Sequence, residues 1–107
     1  MILTLYRGLS YAAAPLLRSL LEKRKSHGKE HRDRITERFG QPSQNRPAGS
    51  VLWVHAASVG EAISILSLVN KINHEYPSLS IIITTGTVTS AAILAERLPK
   101  NIIHQFI

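Results

Sequence analysis

Two short runs, VLWVHA at 51–56 and SIIITT at 80–85, constrain this chain more than any other feature of it. Each is a continuous apolar stretch rich in β-branched residues, the composition expected of a strand covered on both faces. Between them, from Gly60 to Tyr76, Ala62, Ile65, Leu66, Val69 and Ile72 fall on one helical stripe that Tyr76-Pro77 closes. A second helix is expected over TVTSAAILAERL at 87–98, stopped by Pro99, and a third strand begins in NIIHQFI at 101–107. Strand, helix, strand, helix, strand with short connections predicts a parallel sheet with right-handed crossovers. The fold class is therefore α/β, half of a doubly wound Rossmann-like domain. The last strand has no following helix, so an apolar face and a strand edge are expected to be exposed there, as in the N-terminal part of something longer.

Ahead of this unit the chain changes character. Ile2 to Leu21 is largely apolar, but Arg7 and Arg18 interrupt it and Gly8 and Pro15 weaken it as a helix. It falls short of the roughly 20 apolar residues of a clean transmembrane span. Its positive charge follows the apolar part, in Lys23-Arg24-Lys25, the reverse of a signal peptide. Residues 1–25 are accordingly expected to be a membrane-anchor helix, as a poor span or lying in the interface. The alternative is an amphipathic helix packed on a soluble partner. Residues 18–38 hold eight Lys/Arg against four Asp/Glu, net +4 of the chain's formal +6. Such a block favours phosphates, and beside an apolar anchor it points to an anionic membrane surface rather than nucleic acid. EHRDRITERF at 30–39 predicts a charged surface helix ended by Gly40. GQPSQNRPAGS at 40–50 then reads as a linker, so residues 26–50 form a basic helix and linker before the compact unit at 51–107.

In open parallel sheets ligands bind beyond the carboxyl ends of the strands. Two loops belong there, AASVGE after the first strand and TTGTVTS after the second. Neither carries G-x-G-x-x-G or a P-loop, so no dinucleotide, ATP or other cofactor is expected. With no cysteine there is neither a disulfide nor a thiolate metal site, and no histidine has metal-ligand spacing to His55. Between 51 and 107 the carboxylates are Glu61, Glu75 and Glu96, and the last two fall near helix C-termini, away from the ligand edge. Glu61 is therefore the candidate base, beside a helix N-terminus that favours its negative charge. Gly60 and Ala57 leave room for a substrate to approach the backbone. The competing reading is local: Ser58-Val59-Gly60-Glu61 fits the S-x-x-E capping box. His55 reads as a hydrogen-bonded core residue, and TTGTVTS as a turn and N-cap.

HAASVGE resembles the His-(Ser/Ala)-x-Ser-x-Gly-Glu signature of bacterial 3-deoxy-D-manno-octulosonic acid (Kdo) transferases, the lipid A glycosyltransferases. The apolar N-terminus, RITERFG (similar to the family's Arg-x-x-Glu-Arg-(Phe/Tyr)-Gly) and the threonine stretch follow the family order. Gly86 and Ser90 depart from the family's residues in that stretch. The resemblance implies the first quarter of a two-domain GT-B enzyme on the cytoplasmic face of the bacterial inner membrane. It further implies inverting transfer of Kdo from CMP-Kdo to a lipid A precursor, with Glu61 as proton acceptor and Ser58 and Gly60 as candidate substrate contacts. The donor site would lie mainly in the second domain, so this stretch alone should not transfer sugar. The alternatives are a membrane-associated remnant or binding module, and a GT-B enzyme with another donor.

Overall fold

The computed structural model describes residues 1–107, which form two compact units, Met1–Arg32 and Asp33–Ile107. The first unit is dominated by α1 (Ile2–Ser26), which buries none of its residues. Its end is chemically determined. Gly28 sits at φ 72°, while the N–H groups of Gly28 and Lys29 reach back to the carbonyls of Lys25 and Arg24 at 3.1 and 2.9 Å. That is a Schellman stop, in which glycine takes the left-handed position. On the helix surface Ile2, Leu5, Leu9, Leu16 and Leu20 follow one stripe, and Arg7, Arg18 and Lys25 follow the opposite one. No helix is long and apolar enough to cross a membrane. Arg7 and Arg18 interrupt the apolar stretch of α1, as the sequence suggests.

The second unit is a three-stranded parallel sheet in the order β1-β2-β3, with β1 at Val51–Ala56, β2 at Ser80–Thr85 and β3 at Ile103–Phe106. The crossovers are α2 (Val59–Glu75) and α3 (Val88–Arg97), close to the ranges that periodicity predicts. Both helices lie on the same face of the sheet. Ala62, Leu66 and Val69 of α2 and Leu94 of α3 pack with Ala56, Ile81 and Ile83 in one cluster. Two right-handed crossovers that step the same way across a sheet must land on the same side.

The expectation that β1 is covered on both faces therefore fails. The face of Trp53, His55, Ile82 and Ile103 carries no helix, and Trp53 is 63% exposed. What this face has instead is part of the segment read as a linker. Pro42, Asn45 and Arg46 join Trp53, Ile82 and Ile103 in lining an open groove of about 340 Å³. The charged surface helix expected over 30–39 is present at Arg32–Phe39, as a 3-10 helix in which Glu37 alone is buried. Gly40 ends it at φ 74°, as its sequence position suggests. Within it Glu37 is 2% exposed, and its contacts belong to the site described next.

Candidate functional site

The carboxyl edge of the sheet is formed by the residues that follow Ala56, Thr85 and Phe106. After β1 the chain turns at Ala57-Ser58 into α2, with Ser58 extended at φ −133° as the N-cap. The Ser58 hydroxyl accepts from the Glu61 N–H at 3.2 Å, and Glu61 Oε2 accepts from the Ala57 N–H at 2.7 Å. This is the expected reciprocal cap, displaced by one residue because the carboxylate reaches past Ser58 to the preceding N–H. Glu61 is exposed, and Oε1 makes no hydrogen bond to the protein. A Cβ placed on Gly60 would meet only Ser58 Oγ, at 3.9 Å, so the fold does not require the bare backbone at that position. Glu61, Ser58 and Gly60 thus share one exposed turn at the ligand edge.

The second loop is tied inward. Thr85 is fully buried, with its hydroxyl 2.7 Å from His104 Nε2, and Ser90 is fully buried against Thr87 Oγ1 at 2.8 Å. Thr84 Oγ1 accepts from Trp53 Nε1 and bonds His55 Nδ1, each at 2.9 Å. His55 is therefore hydrogen-bonded as expected but exposed, a sheet-face residue and not a core one. Thr87 caps α3 by accepting from the Ser90 N–H at 3.2 Å. The Thr87 hydroxyl thus serves the cap, while those of Thr84 and Thr85 bond side chains of the neighbouring strands. Burial beside the Arg34 charge pushes His104 down to about 4, so its ring is neutral at pH 7.

The third contribution escaped the sequence reading, because it comes from residues that look like solvated surface. Arg34 donates to the His104 carbonyl at 2.9 Å, and Glu37 Oε2 accepts from the Phe106 N–H at 2.9 Å. In a parallel ladder, a residue opposite Gln105 on a neighbouring strand would make the same two bonds. The Arg34–Glu37 ion pair, 3.0 Å apart, thus occupies the β3 edge that the sequence suggests is open. Arg34 also lies over the Phe106 ring, 4.7 Å from its centroid. Burial alone would raise the Glu37 carboxyl. The bonds from Ser43, Phe106 N–H and Arg34, with the Arg34 charge, outweigh it and hold the group below the usual range. One residue on, Arg38 donates to the Gly86 carbonyl. The only sequence signal for this cluster is the family-like RITERFG, which names the residues without saying what they touch.

Residues 33–107, the second compact unit, match the family described as 3-Deoxy-D-manno-octulosonic-acid transferase (kdotransferase). The chain belongs to the Kdo transferase family. It is 39% identical over 102 residues to the probable mitochondrial 3-deoxy-D-manno-octulosonic acid transferase of Arabidopsis thaliana, covering 95% of this chain and 23% of that protein. To the 3-deoxy-D-manno-octulosonic acid transferase of Rickettsia bellii it is 35% identical over 106 residues, 99% of this chain and 25% of that protein. To that of Haemophilus influenzae it is 29% identical over 103 residues, 95% of this chain and 24% of that protein. The chain thus spans about a quarter of the length of the curated relatives it matches. No solved structure matches it. Family membership gives the exposed turn at Ser58–Glu61 a context, a glycosyltransferase, that geometry alone does not supply.

Proposed function

We propose that these residues supply the acceptor side of an inverting Kdo transfer, from CMP-Kdo to a glucosamine hydroxyl of a lipid A precursor, with Glu61 as the proton acceptor. The supporting observation is a contrast between two carboxylates. Both Glu37 oxygens are saturated, by Arg34, Ser43 and the Phe106 N–H. Glu61 spends one oxygen on the Ala57 N–H and keeps the other uncommitted at the ligand edge. In the proposed step the acceptor hydroxyl attacks the anomeric carbon as its proton passes to Glu61. The new C–O bond forms while the bond to the CMP phosphate breaks, and the electron pair leaves with CMP. A base placed in this way contributes typically about 10²–10⁴-fold in rate. The Ala57 bond also holds the carboxylate in position, so capping and catalysis are two uses of one side chain. Ser58 and Gly60 would adjoin the acceptor.

For α1 we propose an interfacial position on an anionic bilayer. Its exposed apolar stripe would meet the acyl boundary, with Lys23, Arg24 and Lys25 in its last turn. A lipid-linked acceptor makes such a position useful, and the inner-membrane location inferred from sequence is one surface of this chemistry.

The test is Glu61→Gln in a complete transferase that carries these residues. Glutamine can still accept from the Ala57 N–H, so thermal melting should hardly change while transfer falls at least about a hundredfold. CMP-Kdo binding should persist. Near-normal turnover would leave Glu61 as a helix cap only and return the chain to the reading of a binding module.

A further inference from the structure

α1 ends in a turn that gathers positive charge around a pocket. Lys23, Arg24, His27 and Lys29, with Leu20, line a space of about 270 Å³ inside the first unit. The Schellman stop builds it: the Lys29 N–H bonds the Arg24 carbonyl at 2.9 Å and so turns Lys29 back beside the last turn of the helix. The Arg24 guanidinium, 2.9 Å from the buried Glu30 carboxylate, braces that turn. A helix C-terminus ordinarily repels an anion, because its free carbonyls carry the negative end of the dipole. Here the carbonyls of Lys23, Arg24 and Lys25 are all engaged, by Ser26 and His27, by Lys29 and by Gly28. That blunts the repulsion.

The cations of this turn divide into two sets. Arg24 is paired with Glu30 and Lys25 with Glu22, at 2.9 and 3.9 Å. Lys23 and Lys29 are exposed and have no carboxylate partner, so the pocket carries two uncompensated charges. His27 adds a directional group. Its Nδ1 lies 2.7 Å from the Lys23 carbonyl, which can only accept, so that nitrogen holds a proton. Nε2 is left to bond a ligand. A phosphomonoester fits this set, with a charge near −2 at about pH 7, three acceptor oxygens and a second ionisation near pH 6. Its remaining proton can be given to His27 Nε2, whereas a phosphodiester carries one charge and has no such proton. The pocket is smaller than the roughly 300–1,000 Å³ of sites that enclose a whole ligand, which suits a headgroup. Leu20 indicates what bears the phosphate. It is both a wall of the pocket and the end of the exposed stripe of Ile2, Leu5, Leu9 and Leu16. A lipid would use both surfaces, and a free phosphate only the first.

We propose that this turn binds the phosphomonoester headgroup of a membrane lipid. The proposal rests on the interfacial position of α1 given above and adds headgroup selectivity to it. The test is flotation of the 107-residue chain with phosphatidylcholine vesicles containing either phosphatidic acid, a monoester, or phosphatidylglycerol, a diester. The two are adjusted to equal zeta potential, so that surface charge is matched. The chain should partition about tenfold more strongly to phosphatidic acid, the equivalent of about one charge-assisted hydrogen bond. Lys23→Ala/Lys29→Ala should bring that ratio to about one. Arg7→Ala/Lys25→Ala removes the same charge from α1 outside the pocket, and should weaken flotation on both vesicles while keeping the ratio. None of these side chains is buried, and circular dichroism should show the helix intact in both variants. Excess inorganic phosphate at constant ionic strength should leave most of the preference, because the membrane holds the lipid headgroup at high local concentration. Loss of the preference there would assign the pocket to free phosphate and overturn the lipid. A ratio near one for the unaltered chain, or an equal fall of the ratio in both double variants, would overturn the pocket and leave the interfacial position standing. Failure to float on any anionic vesicle would overturn both.

Discussion

Replacing Glu37 by alanine probes the least expected feature of the fold, a buried carboxylate acting in place of a strand. Glu37 is 2% exposed and serves Phe106 N–H, Ser43 and Arg34. Truncation leaves the buried Phe106 N–H without its acceptor, a loss of about 1–3 kcal/mol. Arg34 loses its charge partner as well. Breaking a fully buried pair costs about 3–5 kcal/mol. The Arg34 side chain, however, is 27% exposed and keeps the His104 carbonyl, so solvent recovers much of that loss. Allowing about 1 kcal/mol for Arg34, the expected total is ~2–4 kcal/mol. Residues 33–107 as a unit should hold about 4–11 kcal/mol at ordinary per-residue stability, so this is a large fraction. The assay is urea unfolding of the 107-residue chain, followed by circular dichroism. Glu37→Gln should cost less than alanine, because its amide oxygen can still accept from Phe106 N–H. It should still cost about 1 kcal/mol, because its NH₂ meets donors on Arg34 and Ser43. A loss under about 0.5 kcal/mol for alanine would refute the reasoning and mean that water replaces the carboxylate at no cost.

Acid should destabilise the fold in two stages. His104 is held near 4 in the folded chain and returns to about 6.5 when unfolded, so between those values the unfolded chain binds the extra proton. Stability should therefore fall as pH drops from 6.5 toward 4, by at most about 1.4 kcal/mol per unit and less where solvent reaches the ring. Glu37, whose carboxyl lies below its ordinary value, should add a further loss below about pH 4.5. Melts from pH 7.5 to 4 check this, and His104→Gln should flatten the upper part of the profile. Ser58→Ala removes the acceptor for the Glu61 N–H and should cost about 1 kcal/mol by urea titration, with no change at α3. Gly40→Ala should cost about 1 kcal/mol because φ 74° disfavours a Cβ. The double variant Lys23→Glu/Lys25→Glu should abolish flotation of the chain with anionic vesicles at low salt, while neutral vesicles should show little difference.

Much of this molecule follows from local sequence. β1 and β2 lie where continuous apolar, β-branched runs place them, and α2 and α3 where a helical stripe is followed by a proline signal. Gly40 stops the 3-10 helix and Ser58 with Glu61 caps α2, because caps and stops are satisfied within a few residues of themselves. Tertiary structure decided the rest. Trp53 and His55 are exposed although their strand reads as buried, since two like-handed crossovers place both helices on one face. Hydropathy reports that a strand is apolar, and it cannot report which face the helices will take. Glu37 and Arg38 sit in one of the most charged stretches of the chain, yet one is buried and the other reaches the Gly86 carbonyl after β2. Their partners, the Phe106 N–H and the Gly86 carbonyl, are backbone groups 69 and 48 residues away. Every residue but proline carries such an N–H and every residue such a carbonyl. No residue pattern marks which of them will lack a strand neighbour, and only the folded sheet, with its unpaired β3 edge, selects the Glu37 carboxylate and the Arg34 guanidinium to complete it.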